Sequence, residues 1–121
     1  NVPNEILIVD DIAQNSELLQ AYLEPLAANI RTAEDVLEAL EKVAQKKPDI
    51  ILLDIMMPRM SGFEVCRRLK AREETRHIPI ILVTSKNQET DRVWGMRQGA
   101  KDYVTKPVDE KELVAKVAAL A

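Results

Sequence analysis

Three short, continuous apolar runs are the sequence feature that most limits how this chain can fold. They occupy residues 6–9, 50–53 and 78–83. Runs without a regular apolar–polar alternation are typical of strands that are covered on both faces, as in a parallel sheet. Residues 29–32 and 103–105 are two weaker strand candidates. We therefore predict five strands, of which at least three lie in the interior.

Amphipathic helical patterns alternate with these strands. In five segments, apolar residues recur at spacings of three and four, which is the period of a helix with one buried face. Two of the segments begin with the pattern of a capping box, Ser61 followed by Glu64 and Asp109 followed by Glu112. Five alternating strands and helices predict a doubly wound α/β fold built from right-handed βαβ units. One domain is expected to fill residues 1–121, because no linker or repeat interrupts the pattern.

Composition and charge exclude several classes of protein. The 121 residues suit one domain, and the formal net charge of −3 leaves no basic excess to attract nucleic acid or an anionic membrane. The single cysteine, Cys66, cannot form an internal disulfide, and no apolar run approaches the roughly 18 residues of a membrane span. No signal-peptide pattern opens the sequence. These features favour a cytoplasmic protein without direct nucleic-acid or membrane binding.

Polar residues directly follow the predicted strands, at the ends where an open parallel sheet binds its ligands. Asp10 and Asp11 follow the first apolar run and Asp54 follows the second. Thr84 follows the third run, and Lys106 follows the last predicted strand. An aspartate after a strand is often only a turn former or a helix cap. The occurrence of all five residues at one edge of the sheet favours a functional site over capping.

The chemistry of this set points to a divalent cation and a phosphoryl group. Two carboxylates ~5 Å apart repel by roughly 3 kcal/mol at an effective dielectric constant of ~20, so a cluster needs positive charge to offset it. Lys106 supplies one charge, and a site with only oxygen donors favours Mg²⁺ for the rest. An aspartate beside Mg²⁺ and an ammonium group can accept a phosphoryl group as an acyl phosphate. The sequence has no Gly-rich nucleotide loop, so another molecule must deliver that group.

Four motifs in this order give the chain a family resemblance. They are Asp10-Asp11, the run from Asp54 to Gly62, Thr84, and Tyr103-Val-Thr-Lys-Pro107. Together they resemble the receiver domains of two-component response regulators, chemotaxis regulators among them, from residue 5 to about residue 120. The resemblance implies the flavodoxin-like receiver fold, with five parallel strands in the order 2-1-3-4-5 and five helices.

The resemblance also implies a role for each residue of the site. Asp54 would accept the phosphoryl group from a phosphohistidine of a sensor histidine kinase or phosphotransfer protein. Asp10, Asp11, Asp54 and the backbone carbonyl of Met56 would hold Mg²⁺. Lys106 would pair with the phosphoryl oxygens and precede a cis peptide bond to proline. The chain would thus be a phosphorylation-dependent switch and not an enzyme, apart from self-catalysed phosphorylation and dephosphorylation.

A second group of residues would transmit the signal. The resemblance implies that Thr84 moves towards the phosphoryl group and that Tyr103 turns inward behind it. The output surface would comprise the fourth helix, the fifth strand and the last helix, and Trp94, Lys101 and Lys116 are its candidate partner residues. Through this face the domain would contact an effector domain or a target protein, or form a homodimer on phosphorylation.

Trp94 has two interpretations. It lies one residue off the apolar pattern of Val93 and Met96, so we expect it to be partly exposed. Its ring could pack on neighbouring aliphatic side chains, or it could anchor a partner on the output surface.

Two other functions are open to a chain of this pattern. An aspartyl-nucleophile phosphatase or phosphotransferase on a similar sheet would place a second aspartate two residues after the nucleophile, where this chain has Met56. A flavin-binding electron carrier would need a Gly-rich phosphate loop after the first strand, where Asp10 and Asp11 would repel a phosphate. Both are less favoured than the switch. The kinase, the pathway and the output are not specified by these motifs.

Overall fold

The computed structural model describes residues 3–54, 62–85, 93 and 96–120. Five strands form a single parallel sheet in the order β2-β1-β3-β4-β5, which confirms the predicted fold class and strand order. The strands are β1 (Glu5–Val9), β2 (Asn29–Ala33), β3 (Ile50–Asp54), β4 (Ile80–Ser85) and β5 (Asp102–Lys106). The third apolar run begins before its strand, because the Ile78 amide donates to the Thr75 carbonyl in a turn.

Four α-helices are complete in the described residues, where five were predicted. They are α1 (Ala13–Leu23), α2 (Val36–Gln45), α3 (Gly62–Ala71) and the C-terminal helix (Glu110–Leu120), and a 3₁₀ turn (Glu24–Leu26) follows α1. Val93, Met96 and Arg97, in the fourth predicted helix, are also helical. Asp109 caps the C-terminal helix by accepting from the Glu112 amide at 2.9 Å, as its capping pattern predicts. The other predicted cap, Ser61, lies outside the described residues.

The hydrophobic core has one layer on each face of the sheet. Successive residues of a strand point to opposite faces, so Leu7 and Val9 enter the layer beneath α2 and α3, whereas Ile6 and Ile8 enter the layer beneath α1 and the C-terminal helix. Each buried side chain of this size contributes about 1.5–3 kcal/mol. Because both faces are covered, the register of the central strands is fixed, and so are the positions of the residues that follow them.

Gly99 ends the helical residues that precede β5. Its amide donates to the Met96 carbonyl, and its backbone has a φ of +108°, which glycine adopts readily and other residues rarely do. A Cβ atom at this position would lie 2.8 Å from Cγ of Lys70. The Lys70 ammonium is itself fixed, because it donates to the Ile78 carbonyl at 2.7 Å just before β4. Gly99 therefore permits a close contact between α3 and the segment that leads into β5.

Substituting Gly99→Ala should lower the free energy of unfolding by about 1–3 kcal/mol, because the positive φ and the Lys70 side chain both resist an added Cβ. Urea denaturation followed by circular dichroism measures this change. Lys70→Ala in the same background should recover only part of the loss, since the backbone conformation stays unfavourable. Equal stability of Gly99→Ala and the parent chain would contradict the prediction.

Candidate functional site

Three carboxylates meet at the carboxyl edge of the sheet. β1 and β3 are neighbours, with Val9 in register with Leu53, so the next residues, Asp10 and Asp54, lie side by side. Asp11 follows Asp10 in the chain. One carboxylate oxygen from each of the three aspartates lies within 4.8 Å of the others. The convergence expected from the positions of these residues after their strands is therefore present in the fold.

Burial and a hydrogen bond both constrain the Asp10 side chain. This side chain is buried, and its Oδ1 atom accepts a hydrogen bond from the Ile12 amide at 2.9 Å. This bond stabilises the turn after β1, so Asp10 also has the turn-forming role considered for it from the sequence. Its Oδ2 atom is also buried and has no hydrogen-bond partner among the described residues. Burial raises the pKa of the Asp10 carboxyl to about 6, the Ile12 amide opposes this rise, and the negative charge of Asp54 adds to it. A buried carboxylate oxygen without a partner beside two further carboxylates suits a hard divalent cation.

Lys106 provides positive charge at this edge. It ends β5, and its Nζ atom lies 3.2 Å from Oδ2 of the buried Asp54. The peptide bond between Lys106 and Pro107 is cis, as the resemblance implies. One ammonium group cannot balance three ionised carboxylates, so the site favours an additional cation.

Thr84 and Tyr103 occupy the neighbouring strands. Thr84 is buried near the end of β4, one residue beyond Val83, which is in register with Asp54. Tyr103 lies in β5 and packs against the core layer beneath α2 and α3. Their movement on phosphorylation stays a prediction.

The candidate partner residues are only partly described. Lys101 is exposed, and Lys116 on the C-terminal helix donates to the backbone carbonyl of Tyr103 at 2.6 Å. Met56 and Trp94 lie outside the described residues, so their proposed roles stay predictions.

The apolar pattern around residue 93 does not form a buried face. Val93 and Met96 are 46% and 39% exposed, and of the three residues in this pattern only Ala100 is buried. A spacing of three and four places side chains on one side of a helix, but it does not determine whether that side contacts the core. Trp94 itself lies outside the described residues, so its expected partial exposure stays a prediction.

A cavity of about 250 Å³ adjoins the carboxylates, and sequence reasoning missed the residues of α1 that line it. Asn15 and Leu18 contribute to its wall together with Asp10, Lys106 and Pro107. The helical period of α1 was visible in the sequence. The position of α1 beside the segment that follows β5 depends on the packing of α1 against the C-terminal helix, which no local sequence pattern encodes.

Comparison with known proteins agrees with this geometry. A family model described as response regulator receiver domain matches residues 6–118. The chain belongs to this family. A receiver domain is the phosphoacceptor switch of a two-component system, and it interacts with histidine kinases or phosphotransfer proteins. Receiver domains bind Mg²⁺ at an acidic pocket, and the three described aspartates of this chain form an acidic group that could hold a metal ion.

Individual relatives support the assignment. This receiver domain is 49% identical over 115 residues to the response regulator PleD of Caulobacter vibrioides, and the alignment covers 95% of this chain but only 25% of PleD. It is 47% identical over 115 residues to the protein PilH of Pseudomonas aeruginosa, with 95% of each chain covered. The chain thus spans about a quarter of one relative and nearly all of the other.

A solved structure shows the same fold. The signal receiver domain of a signal transduction histidine kinase from Syntrophus aciditrophicus superimposes with a TM-score of 0.88 and 35% identity, covering 97% of this chain and 89% of that one. The family match is to receiver domains and gives no support to the phosphatase alternative. Over the described part of the chain, no helix is both long and apolar enough to cross a membrane.

Replacing Asp10 with asparagine should stabilise the receiver domain when divalent cations are removed. The amide oxygen can still accept from the Ile12 amide, while one of three crowded negative charges is lost, so we expect the free energy of unfolding in EDTA to rise by about 1–3 kcal/mol. Urea denaturation with and without millimolar Mg²⁺ measures the effect. Mg²⁺ should stabilise the parent chain more than the variant.

Asp11→Asn is the matched control, because Asp11 is less buried than Asp10 and its neutralisation should stabilise the metal-free domain less. A drop in the stability of Asp10→Asn in EDTA would show that repulsion between these carboxylates is not a significant cost.

Proposed function

We propose that Asp54 is the phosphoacceptor of this receiver domain and takes its phosphoryl group from a phosphohistidine in a Mg²⁺-dependent reaction. The observation that carries the proposal is the position of Asp54, which is buried at the edge of the sheet between the Lys106 ammonium at 3.2 Å and the carboxylates of Asp10 and Asp11. Within the described residues, three carboxylates and one ammonium group thus lie together, which supports a site with an oxygen nucleophile, a cation and metal ligands.

The chemistry assigns a task to each side chain. An oxygen of Asp54 forms a bond to phosphorus, the phosphorus–nitrogen bond of the donor breaks, and the electron pair returns to the imidazole. Lys106 can pair with the phosphoryl oxygens, since its ammonium already lies beside the Asp54 carboxylate. Asp10, Asp11 and Asp54 would hold Mg²⁺, with the Met56 carbonyl as a further ligand by family resemblance. Bound Mg²⁺ would neutralise negative charge on the transferred group.

The cavity beside the carboxylates supports an approach of the donor from the side of α1. Asp10, Lys106 and Pro107 line this cavity together with Leu18, which is exposed and offers apolar contact. The donor would be a sensor histidine kinase or a phosphotransfer protein, in keeping with the family.

We further propose that phosphorylation alters the surface made by the predicted fourth helix, β5 and the C-terminal helix. A phosphoryl group adds roughly −1.5 to −2 charges and three strong acceptors, to which the Thr84 hydroxyl can donate. A contact available in only one arrangement of the loop after β4 would shift the population towards that arrangement, with Tyr103 turned inward. Trp94, Lys101 and Lys116 would then contact an effector domain or target protein, or a second copy of the domain.

Residues 1–121 would make one receiver domain in the cytoplasm, without catalytic activity beyond its own phosphorylation and dephosphorylation. PleD is about four times as long as the segment that aligns with this chain, so the similarity does not indicate which output this receiver domain controls.

Activation by the phosphoryl mimic beryllofluoride tests the proposal. With millimolar Mg²⁺ present, the mimic should quench the fluorescence of Trp94, the sole tryptophan, and omission of Mg²⁺ or the substitution Asp54→Ala should abolish the quenching. A small phosphodonor should likewise label the parent chain but not Asp54→Ala, as measured by intact-protein mass spectrometry.

Asp35→Asn is the control for loss of a carboxylate elsewhere. Asp35 caps α2 by accepting from the Glu38 amide, and asparagine can make the same bond, so labelling should be unchanged. Labelling of Asp54→Ala at the parental rate would refute the assignment of the phosphoacceptor.

A further inference from the structure

Lys116 joins the two sides of the sheet across the outer edge of β5. Its helix packs through Leu113 and Val117 against the core layer that contains Val104 of β5. Tyr103 packs against the opposite layer. The Lys116 side chain therefore reaches around the edge strand, and its ammonium donates to the Tyr103 carbonyl at 2.6 Å.

The same ammonium also contacts the ring of Tyr103. Its Nζ atom lies 5.1 Å from the ring centroid, which is within the range of a cation–π interaction. Asp102 Oδ1 lies 3.3 Å from the ammonium and accepts from the Tyr103 amide at 2.8 Å. Glu112 Oε2 lies 3.7 Å from the ammonium, on the preceding turn of the helix. Asp102 thus accepts from the backbone amide of Tyr103 and Lys116 donates to its carbonyl, and Lys116 also makes an electrostatic contact with the ring.

We propose that Lys116 is a positioning residue that holds the Tyr103 ring in its present rotamer and thereby opposes activation of the switch. This inference rests on the proposed function, in which Tyr103 turns inward. Rotation about the Cα–Cβ bond leaves the backbone contacts in place but carries the ring away from the ammonium. The cation–π contact consequently stabilises one rotamer only, and such a difference is what shifts a two-state equilibrium.

The charge of Lys116, more than its hydrogen bond to the backbone, should carry the effect. Lys116→Met keeps the length and apolar stem of the side chain and removes the ammonium. An exposed cation–π contact corresponds to a factor of about two to five in an equilibrium constant. We therefore expect the population of the activated Tyr103 rotamer, relative to the present rotamer, to rise about two- to five-fold in the unphosphorylated variant.

Fluorine NMR of protein labelled with 3-fluorotyrosine measures this ratio. The chain has two tyrosines, Tyr22 and Tyr103, and Tyr22→Phe assigns their resonances. The positions of the Tyr103 resonance in the parent chain, without and with beryllofluoride and Mg²⁺, define the two ends of the scale. In Lys116→Met without beryllofluoride, the resonance should lie closer to the activated end, and labelling by a small phosphodonor should be faster by a similar factor.

Three further variants separate positioning from a general structural role. Lys111→Met removes an exposed lysine from the same helix and should leave the resonance unchanged. Lys116→Arg keeps a charge over the ring and should behave as the parent chain. Lys116→Gln can still donate to the Tyr103 carbonyl but lacks the charge, so it should shift the resonance as Lys116→Met does. Lys116→Gln also replaces Lys116→Met should the latter fail to fold.

The outcomes distinguish this inference from the proposed function. If beryllofluoride moves the Tyr103 resonance of the parent chain but Lys116→Met and Lys116→Gln give the parental spectrum, the inference is wrong and the switch stands. If beryllofluoride with Mg²⁺ leaves the parent resonance in place, both are overturned. A change in melting temperature with no change in the resonance would also overturn the positioning role.

Discussion

Crowding of negative charge at one edge of a parallel sheet is the constraint on which the functional part of this structure depends. Parallel strands end at the same edge, so the register of Val9 with Leu53 places the carboxylates of Asp10 and Asp54 side by side. The ammonium of Lys106, 3.2 Å from Asp54, offsets part of the repulsion. The remaining repulsion suits the site to a divalent cation, whose positive charge can offset the carboxylates and also attract the oxygens of a phosphoryl group.

The apolar sheet holds these carboxylates together despite their mutual repulsion. The central strands are covered on both faces, and their side chains alternate between two core layers, so the register of these strands cannot shift without disturbing the interior. The buried Oδ2 atom of Asp10 has no hydrogen-bond partner in the described ranges, and its burial lowers the stability of the fold. The edge strand β5 then connects this site to the surface, since it carries both Lys106 and Tyr103.

Much of this architecture was predictable from local patterns. Continuous apolar runs indicated the buried strands, and their alternation with helical periods indicated an α/β fold. The convergence of Asp10, Asp54 and Lys106 followed from topology, because each of them directly follows or ends a strand. The exposure of Val93 and Met96 was not predictable, since an amphipathic period defines a face without saying what covers it. The part that α1 plays in the cavity beside Asp10 was missed because it depends on helix packing.

The sequence by itself determined the class of fold, the edge of the sheet that carries the chemistry and the family to which the chain belongs. These depend on residue order and periodicity, which are properties of the linear chain. The tertiary structure decided that Asp10 has one hydrogen-bonded and one unpartnered oxygen, and that Lys116 lies over the Tyr103 ring. Such contacts join residues on different elements, and their distances are set by how the two core layers pack, which no local pattern records.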